Sequence, residues 1–230
     1  MFMILRKWED LPSDMQIPEV KEYYDLLQKK KAQLVLKRVF DVVVSFLLLA
    51  LLSPVFIILA IAIKLDSKGP VFYRQTRVTQ YGEEFRIFKF RSMVTDADKG
   101  SLLTVGGDSR ITRVGKIIRK FKLDELSQLI DVFRGTMTFV GTRPEVPRYV
   151  AKYTPEMMAT LLLPAGITSE ASVYYKDENE LLDAAEDVEK TYLEDVLPDK
   201  MKYNLAAIRS FSFIDDIKVM ILTVLAIFRK

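Results

Sequence analysis

Neither cysteine nor histidine occurs in the sequence. Without cysteine there can be no disulfide, thiolate metal site or thiol nucleophile, a composition that suits a cytoplasmic face. Without histidine, acid–base or nucleophilic chemistry near neutral pH falls to carboxylates, lysine, tyrosine or hydroxyls, with a metal ion or arginines managing the charge. Excess charge of one sign is also small: 34 Lys and Arg against 31 Asp and Glu leave +3 over 230 residues. Much of that positive charge flanks an apolar run, where anionic headgroups would meet it, so the expected partner is a phospholipid membrane and not nucleic acid. The stretch Met1–Asp10 lacks the apolar length and small-residue cleavage site of a secretory signal, and none is expected there.

What the chain does have is one long apolar stretch, Phe40 to Ile63. A helix needs roughly 20 apolar residues to cross a bilayer, and this run is just long enough. At its midpoint stand Ser53 and Pro54, and a proline there removes a backbone donor and bends or breaks the helix. Lysines and arginines flank both ends: Lys29, Lys30, Lys31, Lys37 and Arg38 before, Lys64, Lys68, Arg74 and Arg77 after. The charge rule for orientation therefore favours neither end. Two readings satisfy these facts, a re-entrant helix that dips into one leaflet and returns, and a single span with a proline kink.

Ahead of the run, residues 18–37 have the spacing of an amphipathic helix beginning at a proline. Beyond it, Val71–Arg74 and Phe85–Arg91 alternate apolar and charged side chains and predict two strands around a turn at Tyr81-Gly82, with Lys89 and Arg91 on one face. Residues 95–110, with Gly106-Gly107, predict a surface loop and not a phosphate cradle. A basic amphipathic helix is expected over 111–120 with Val114, Ile117 and Ile118 on one side. Another follows over 121–133, its core face carrying Leu126, Leu129, Ile130 and Phe133 and its first turn carrying Asp124 and Glu125. Carboxylates in a first turn are often only complements to the helix dipole, but the basic residues around this pair, and the attraction of helix N-termini for anions, make it a candidate site. Residues 135–148 predict a stiff loop in which Pro144 and Pro147 hold Arg143 ready for a phosphate or a base. A short helix is expected over 149–163. Residues 176–202 read as an acidic, solvated helical face, and the apolar segment 214–230 is too short to span and should pack in the core or lie at an interface.

Six stretches, in order, resemble the bacterial sugar transferase family of small monotopic polyprenyl-phosphate phosphoglycosyl transferases. They are Lys37-Arg38-Val39-Phe40-Asp41, Ser53-Pro54, Gly69 to Gln75, Phe88 to Met93, Leu123 to Leu129 and Val140 to Glu145. The resemblance implies an α+β, mostly helical monotopic membrane protein: an N-terminal arm and amphipathic helix (1–37), a re-entrant membrane helix kinked at Ser53-Pro54 (38–64) and a cytoplasmic catalytic domain (65–230). It implies transfer of a sugar phosphate from a UDP-sugar to undecaprenyl phosphate with release of UMP, at the cytoplasmic face of the bacterial inner membrane. Asp124 is then the nucleophile, Glu125 the Mg²⁺ ligand, and Arg143 with Pro144 part of the nucleotide site, with Lys89 as a further substrate contact. Two departures stand out. Thr142 replaces a proline of the usual Pro-Arg-Pro, and Leu163 stands where a phosphate-binding arginine is expected, so Arg91 or Arg148 would have to supply that charge. The donor sugar is not legible, a homodimer is left open, and the rival readings are a non-catalytic scaffold on anionic lipid and an anchored phosphotransferase with a soluble acceptor.

Overall fold

Ile17 is extended and Pro18 supplies the fixed φ of a first helical turn, so helix α1 begins there and runs Pro18–Gln28. In the computed structural model, residues 5–94, 110–175, 181–182 and 184–228 are described. Most of the loop expected over 95–110 lies outside them, as do residues 176–180 and Asp183 of the acidic stretch. Val20, Tyr23, Tyr24 and Leu27 put α1 into the largest core cluster, against the 157–162 segment and the Leu205–Phe211 region. The single amphipathic helix expected over 18–37 is in fact interrupted: α1 ends at Gln28, and α2 starts afresh at Lys31 and continues to Leu51. The break lets α1 stay in the core while α2 leaves in a different direction.

Helix α3, Ser53–Asp66, continues from α2 after a bend of 61° at Leu52. The local cause is Pro54, which has no N–H to give to the carbonyl of Ala50; the Ser53 hydroxyl donates to that carbonyl instead, at 2.8 Å. Leu52 N–H still reaches Leu48 and Phe56 N–H reaches Leu52, so the helical ladder is carried on both sides of Leu52. No single helix among the described residues is long and apolar enough to cross a membrane; the bent pair α2–α3 passes only as a pair. Its base is lashed to the rest of the chain. Lys37 Nζ pairs with Asp216 at 2.6 Å, Arg38 donates to the carbonyls of Val132 and Phe133, and Asp41 accepts from the Thr138 hydroxyl and the Phe139 N–H.

Strands β1 (Phe72–Val78) and β2 (Glu84–Phe90) pair antiparallel, Tyr73 opposite Lys89 and Arg77 opposite Phe85. Their turn falls at Tyr81 and Gly82, both at positive φ, as the sequence predicts. Helix α4, Arg113–Lys120, is capped by the Thr112 hydroxyl and buries Ile118, but Ile117 points outward, against expectation. The next segment is not one helix. A 3₁₀ stretch, Leu123–Gln128, passes into α5, Leu129–Arg134, and the tighter winding leaves Phe133 exposed while Leu129 and Val132 are buried. Overall the chain is α+β and mostly helical.

The loop expected over 135–148 contains a strand. β3, Met137–Val140, lies parallel to β4, Ala165–Thr168, just beyond it on the far side of α6, Pro147–Val150. Gly141, just past the end of β3, and Gly166, inside β4, face each other so closely that a Cβ on Gly166 would lie 2.2 Å from the Gly141 nitrogen. Only glycine permits that crossing. Helices α7 (Glu170–Tyr174), α8 (Val188–Thr191), α9 (Leu197–Arg209) and α10 (Phe213–Phe228) complete the chain. In α10, Val219 is buried against α5, β3 and β4, while Ile214, Ile221 and Val224 are exposed.

Candidate active site

Lys122, left-handed at φ 52, turns the chain out of α4 and into the 3₁₀ segment that begins with Leu123, Asp124 and Glu125. Strand β2 packs against this segment and brings Lys89 to it. The loop leaving β3 brings Arg143. The three elements meet at the Glu125 carboxylate: Arg143 Nη2 donates to Oε1 at 2.6 Å, and Lys89 Nζ lies 3.7 Å from the same oxygen. Asp124, Glu125, Lys89, Arg143 and Pro144, distant in sequence, are thus brought to one place.

The two neighbouring carboxylates occupy opposite electrostatic states. Burial raises the Asp124 pKa and the charge of Glu125 raises it further, against the pull of Lys89 and Arg119. Burial would raise Glu125 too, but Arg143 and Lys89 together outweigh it and hold the group at about 2. Lys89 is itself pushed down by burial and by Arg143. A pair of carboxylates whose environments drive them apart is the usual mark of divided roles. Glu125 is committed to cations, whereas Asp124 is the more basic and hence the more nucleophilic of the two.

Two expected contributors are elsewhere. Arg91 is not in the strand with Lys89 but just past its end, and its guanidinium donates to the carbonyls of Ser67 and Lys68 at 2.7 and 2.8 Å, closing the end of α3. Arg148 makes a surface ion pair with Glu189. Neither replaces the cation absent at Leu163, which packs at the edge of the main core. The proline missing at Thr142 is compensated by backbone bonding: the Thr142 carbonyl accepts from Gly166 N–H at 2.9 Å.

Arg77 and Asp131 were not singled out by the sequence. Arg77 shares the β1–β2 face that carries Lys89, donates to the Pro144 carbonyl at 3.0 Å and approaches Glu145. The expected first strand stops at Arg74, but the period-2 alternation carried on to Val78 would have put Arg77 there. Asp131, buried in α5, accepts from the Phe88 N–H at 2.8 Å and so fixes β2 beside Lys89. Burial raises its pKa to about 6 despite that bond and the nearby Arg74 and Arg134.

Among the described residues no three metal-ligating side chains converge. Mg²⁺ seldom needs such a cage, since it keeps several waters and takes one or two carboxylates together with substrate phosphates. Asp124 and Glu125 supply that number beside the cations Lys89 and Arg143, so the residues fit a magnesium ion that arrives with a phosphorylated ligand.

Residues 32–230 match the family described as bacterial sugar transferase. The chain is 36% identical over 196 residues to the UDP-glucose:undecaprenyl-phosphate glucose-1-phosphate transferase of Klebsiella pneumoniae, covering 83% of this chain and 40% of that protein. It is 41% identical over 123 residues to the UDP-N-acetylgalactosamine-undecaprenyl-phosphate N-acetylgalactosaminephosphotransferase of Aeromonas hydrophila, covering 53% of this chain and 29% of the other. With the exopolysaccharide production protein PSS of Rhizobium leguminosarum bv. phaseoli it shares 46% identity over 112 residues, 48% of this chain and 56% of that one. The matched region thus spans less than half the length of the Klebsiella and Aeromonas relatives.

Proposed function

The chain belongs to the bacterial sugar transferase family, and from that premise we propose that it moves a sugar phosphate from a UDP-sugar to undecaprenyl phosphate and releases UMP. The observation that carries this reading is the Asp124–Glu125 pair, one carboxylate held by Lys89 and Arg143 and its neighbour raised in basicity. An Asp124 oxygen attacks the β-phosphorus of the donor; the bond from that phosphorus to the bridging oxygen breaks, and UMP departs with the oxygen. An oxygen of the lipid phosphate then attacks the phosphorus of the aspartyl phosphosugar, and Asp124 is regenerated. Neither displacement calls for histidine. Arg143 binds and orients the diphosphate of the donor, and Lys89 stabilises the charge that develops as the phosphorus is attacked. Glu125, with Asp124 beside it, would hold Mg²⁺, which when bound neutralises charge on the diphosphate. The relatives differ in the sugar they are named for, and the donor sugar is not assigned.

The covalent step is tested with donor alone. Wild-type protein is expected to release about one equivalent of UMP in a burst and to gain the mass of a sugar phosphate, and Asp124→Asn to do neither. UMP appearing only when the polyprenyl phosphate is added, with no mass gain under trapping conditions, would exclude the covalent route.

We further propose that α2 and α3 form a re-entrant hairpin in the cytoplasmic leaflet. What supports this is the 61° bend, the Ser53 hydroxyl that takes up the Ala50 carbonyl left free by Pro54, and the exposure of Leu47, Leu51, Ile57, Ile58 and Ile61. At 1.5 Å per residue the 14-residue α3 is about 21 Å long, short of the roughly 30 Å hydrocarbon core. Single cysteines at Lys31 and Lys68 should react with an impermeant thiol reagent from the same, cytoplasmic side; labelling from opposite sides would mean a span.

A further inference from the structure

The loop that presents Arg143 is held from two directions. On one side it is stitched to the end of β1: Arg77 Nη1 donates to the Pro144 carbonyl at 3.0 Å, and Val78 N–H to the Glu145 carbonyl at 2.9 Å. On the other, the Glu145 carboxylate, buried at 7% exposure, accepts from the Tyr192 hydroxyl through Oε1 while its Oε2 lies 3.8 Å from Arg77. Tyr192 comes from a stretch 47 residues further on. It opens a single π-helical turn, Tyr192–Val196, between α8 and α9, and its ring lies 5.2 Å from that of Tyr149. Such turns are rare and are frequently found at functional sites. Tyr192 is 4% exposed, so it acts on the site through Glu145 and not by touching a substrate.

We propose that Tyr192 is a positioning residue for the donor's nucleotide diphosphate: through Glu145 it holds the Thr142–Glu145 loop, and with it Arg143, in the orientation that meets the anion. The proposal rests on the transferase reading given above. With the hydroxyl removed, the buried carboxylate retains Arg77 as its neighbour. Closing that 3.8 Å gap would draw the guanidinium from the Pro144 carbonyl and loosen the backbone on both sides of Arg143. The effect falls on the donor, since the network reaches Arg143 and touches no residue of α2 or α3.

The test is UDP binding by calorimetry to the full chain in lipid nanodiscs, alongside steady-state kinetics and thermal unfolding. Tyr192→Phe keeps the ring against Tyr149 and removes only the hydroxyl. It is expected to bind UDP about tenfold more weakly and to raise the KM for the UDP-sugar in proportion. The kcat should stay within about twofold and the KM for the polyprenyl phosphate should not change. Equal UDP affinity in wild type and Tyr192→Phe overturns the proposal, as does a wild-type chain that does not bind UDP. If Tyr192→Phe is too unstable to measure, the same contact is read from the other side. Glu145→Gln still accepts the hydroxyl and should bind UDP nearly as wild type does, whereas Glu145→Ala should not; equal binding by the two overturns the proposal. Turnover combined with equal UDP affinities removes the role of Tyr192 and spares the transferase reading. A tenfold UDP difference in a chain that releases no UMP from any UDP-sugar does the reverse.

Discussion

Lys89 and Arg91 lie two residues apart and point into neighbouring regions that use a cation in opposite ways. Arg91 faces the last turn of α3, where helix geometry leaves carbonyls without partners, and its two terminal guanidinium nitrogens donate to the carbonyls of Ser67, Lys68 and Ile63. Lys89 faces Glu125, a carboxylate already bonded to Arg143, in a place where cations gather and a phosphate would be welcome. A cation bonded to backbone carbonyls is part of the scaffold; one balanced against a carboxylate can exchange it for another anion. The same contrast separates Arg38, fixed on the Val132 and Phe133 carbonyls, from Arg143.

The sharpest way to break this contrast is at Glu125. Glu125→Gln removes the charge that organises Lys89 and Arg143 and is expected to slow turnover on the order of 10²-fold or more with the fold intact, measured as UMP release. Wild-type rates in that variant, or full activity in excess EDTA, would take Glu125 out of the metal role. At the scaffold end, Arg91→Met strands the carbonyls that close α3. It should destabilise the chain by about 2–3 kcal/mol and leave the KM for the donor unchanged in whatever fraction remains folded. A donor KM that rises with unaltered unfolding would put Arg91 back in the active site.

The smallest effect concerns pH. Asp131 binds its proton more tightly when folded, at about 6, than an ordinary aspartate does, so its contribution to stability is full below about pH 4 and disappears as the pH rises through 6. Glu125 runs the other way, contributing above its ordinary range near 4.5 and losing that contribution as the pH falls toward 2. Asp131→Asn should therefore gain about 1–2 kcal/mol relative to wild type between pH 4 and pH 7, seen as a pH-dependent gap between the two unfolding midpoints. A gap that does not change with pH would mean Asp131 is not desolvated as described.

Much of this was legible because it is local. Pro54 in an apolar run announces a bend, Tyr81-Gly82 a hairpin, and Asp124-Glu125 among basic residues a charged site. Strands β3 and β4 were not legible, since four residues each are too few for period-2 alternation to speak and their pairing is parallel across an intervening 24 residues. The winding of 123–128 was missed because 3₁₀ and α segments share apolar spacing over one turn, and only packing chose between them. Arg91 was misplaced for a related reason: alternation predicts a face, but β2 ends at Phe90 and the rule ends with it. Nothing in the sequence near Tyr192 pointed to Glu145, because the contact is made by tertiary structure alone.

The basic foot of α2 sets a problem of timing for the ribosome. Lys37 and Arg38 are made early, yet the carbonyl that receives Arg38 comes 94 residues later and the carboxylate that receives Lys37 comes 179 residues later. At roughly 5–20 residues per second, both cations wait on the order of ten seconds without their final partners, while the apolar run beyond them has already emerged. During that interval the foot of α2 has only mobile anions to balance it, so the α2–α3 pair is made well before the groups that will fix its base. The polar contacts at the foot of the helix thus mark the end of assembly as well as the join between α2 and the rest of the chain.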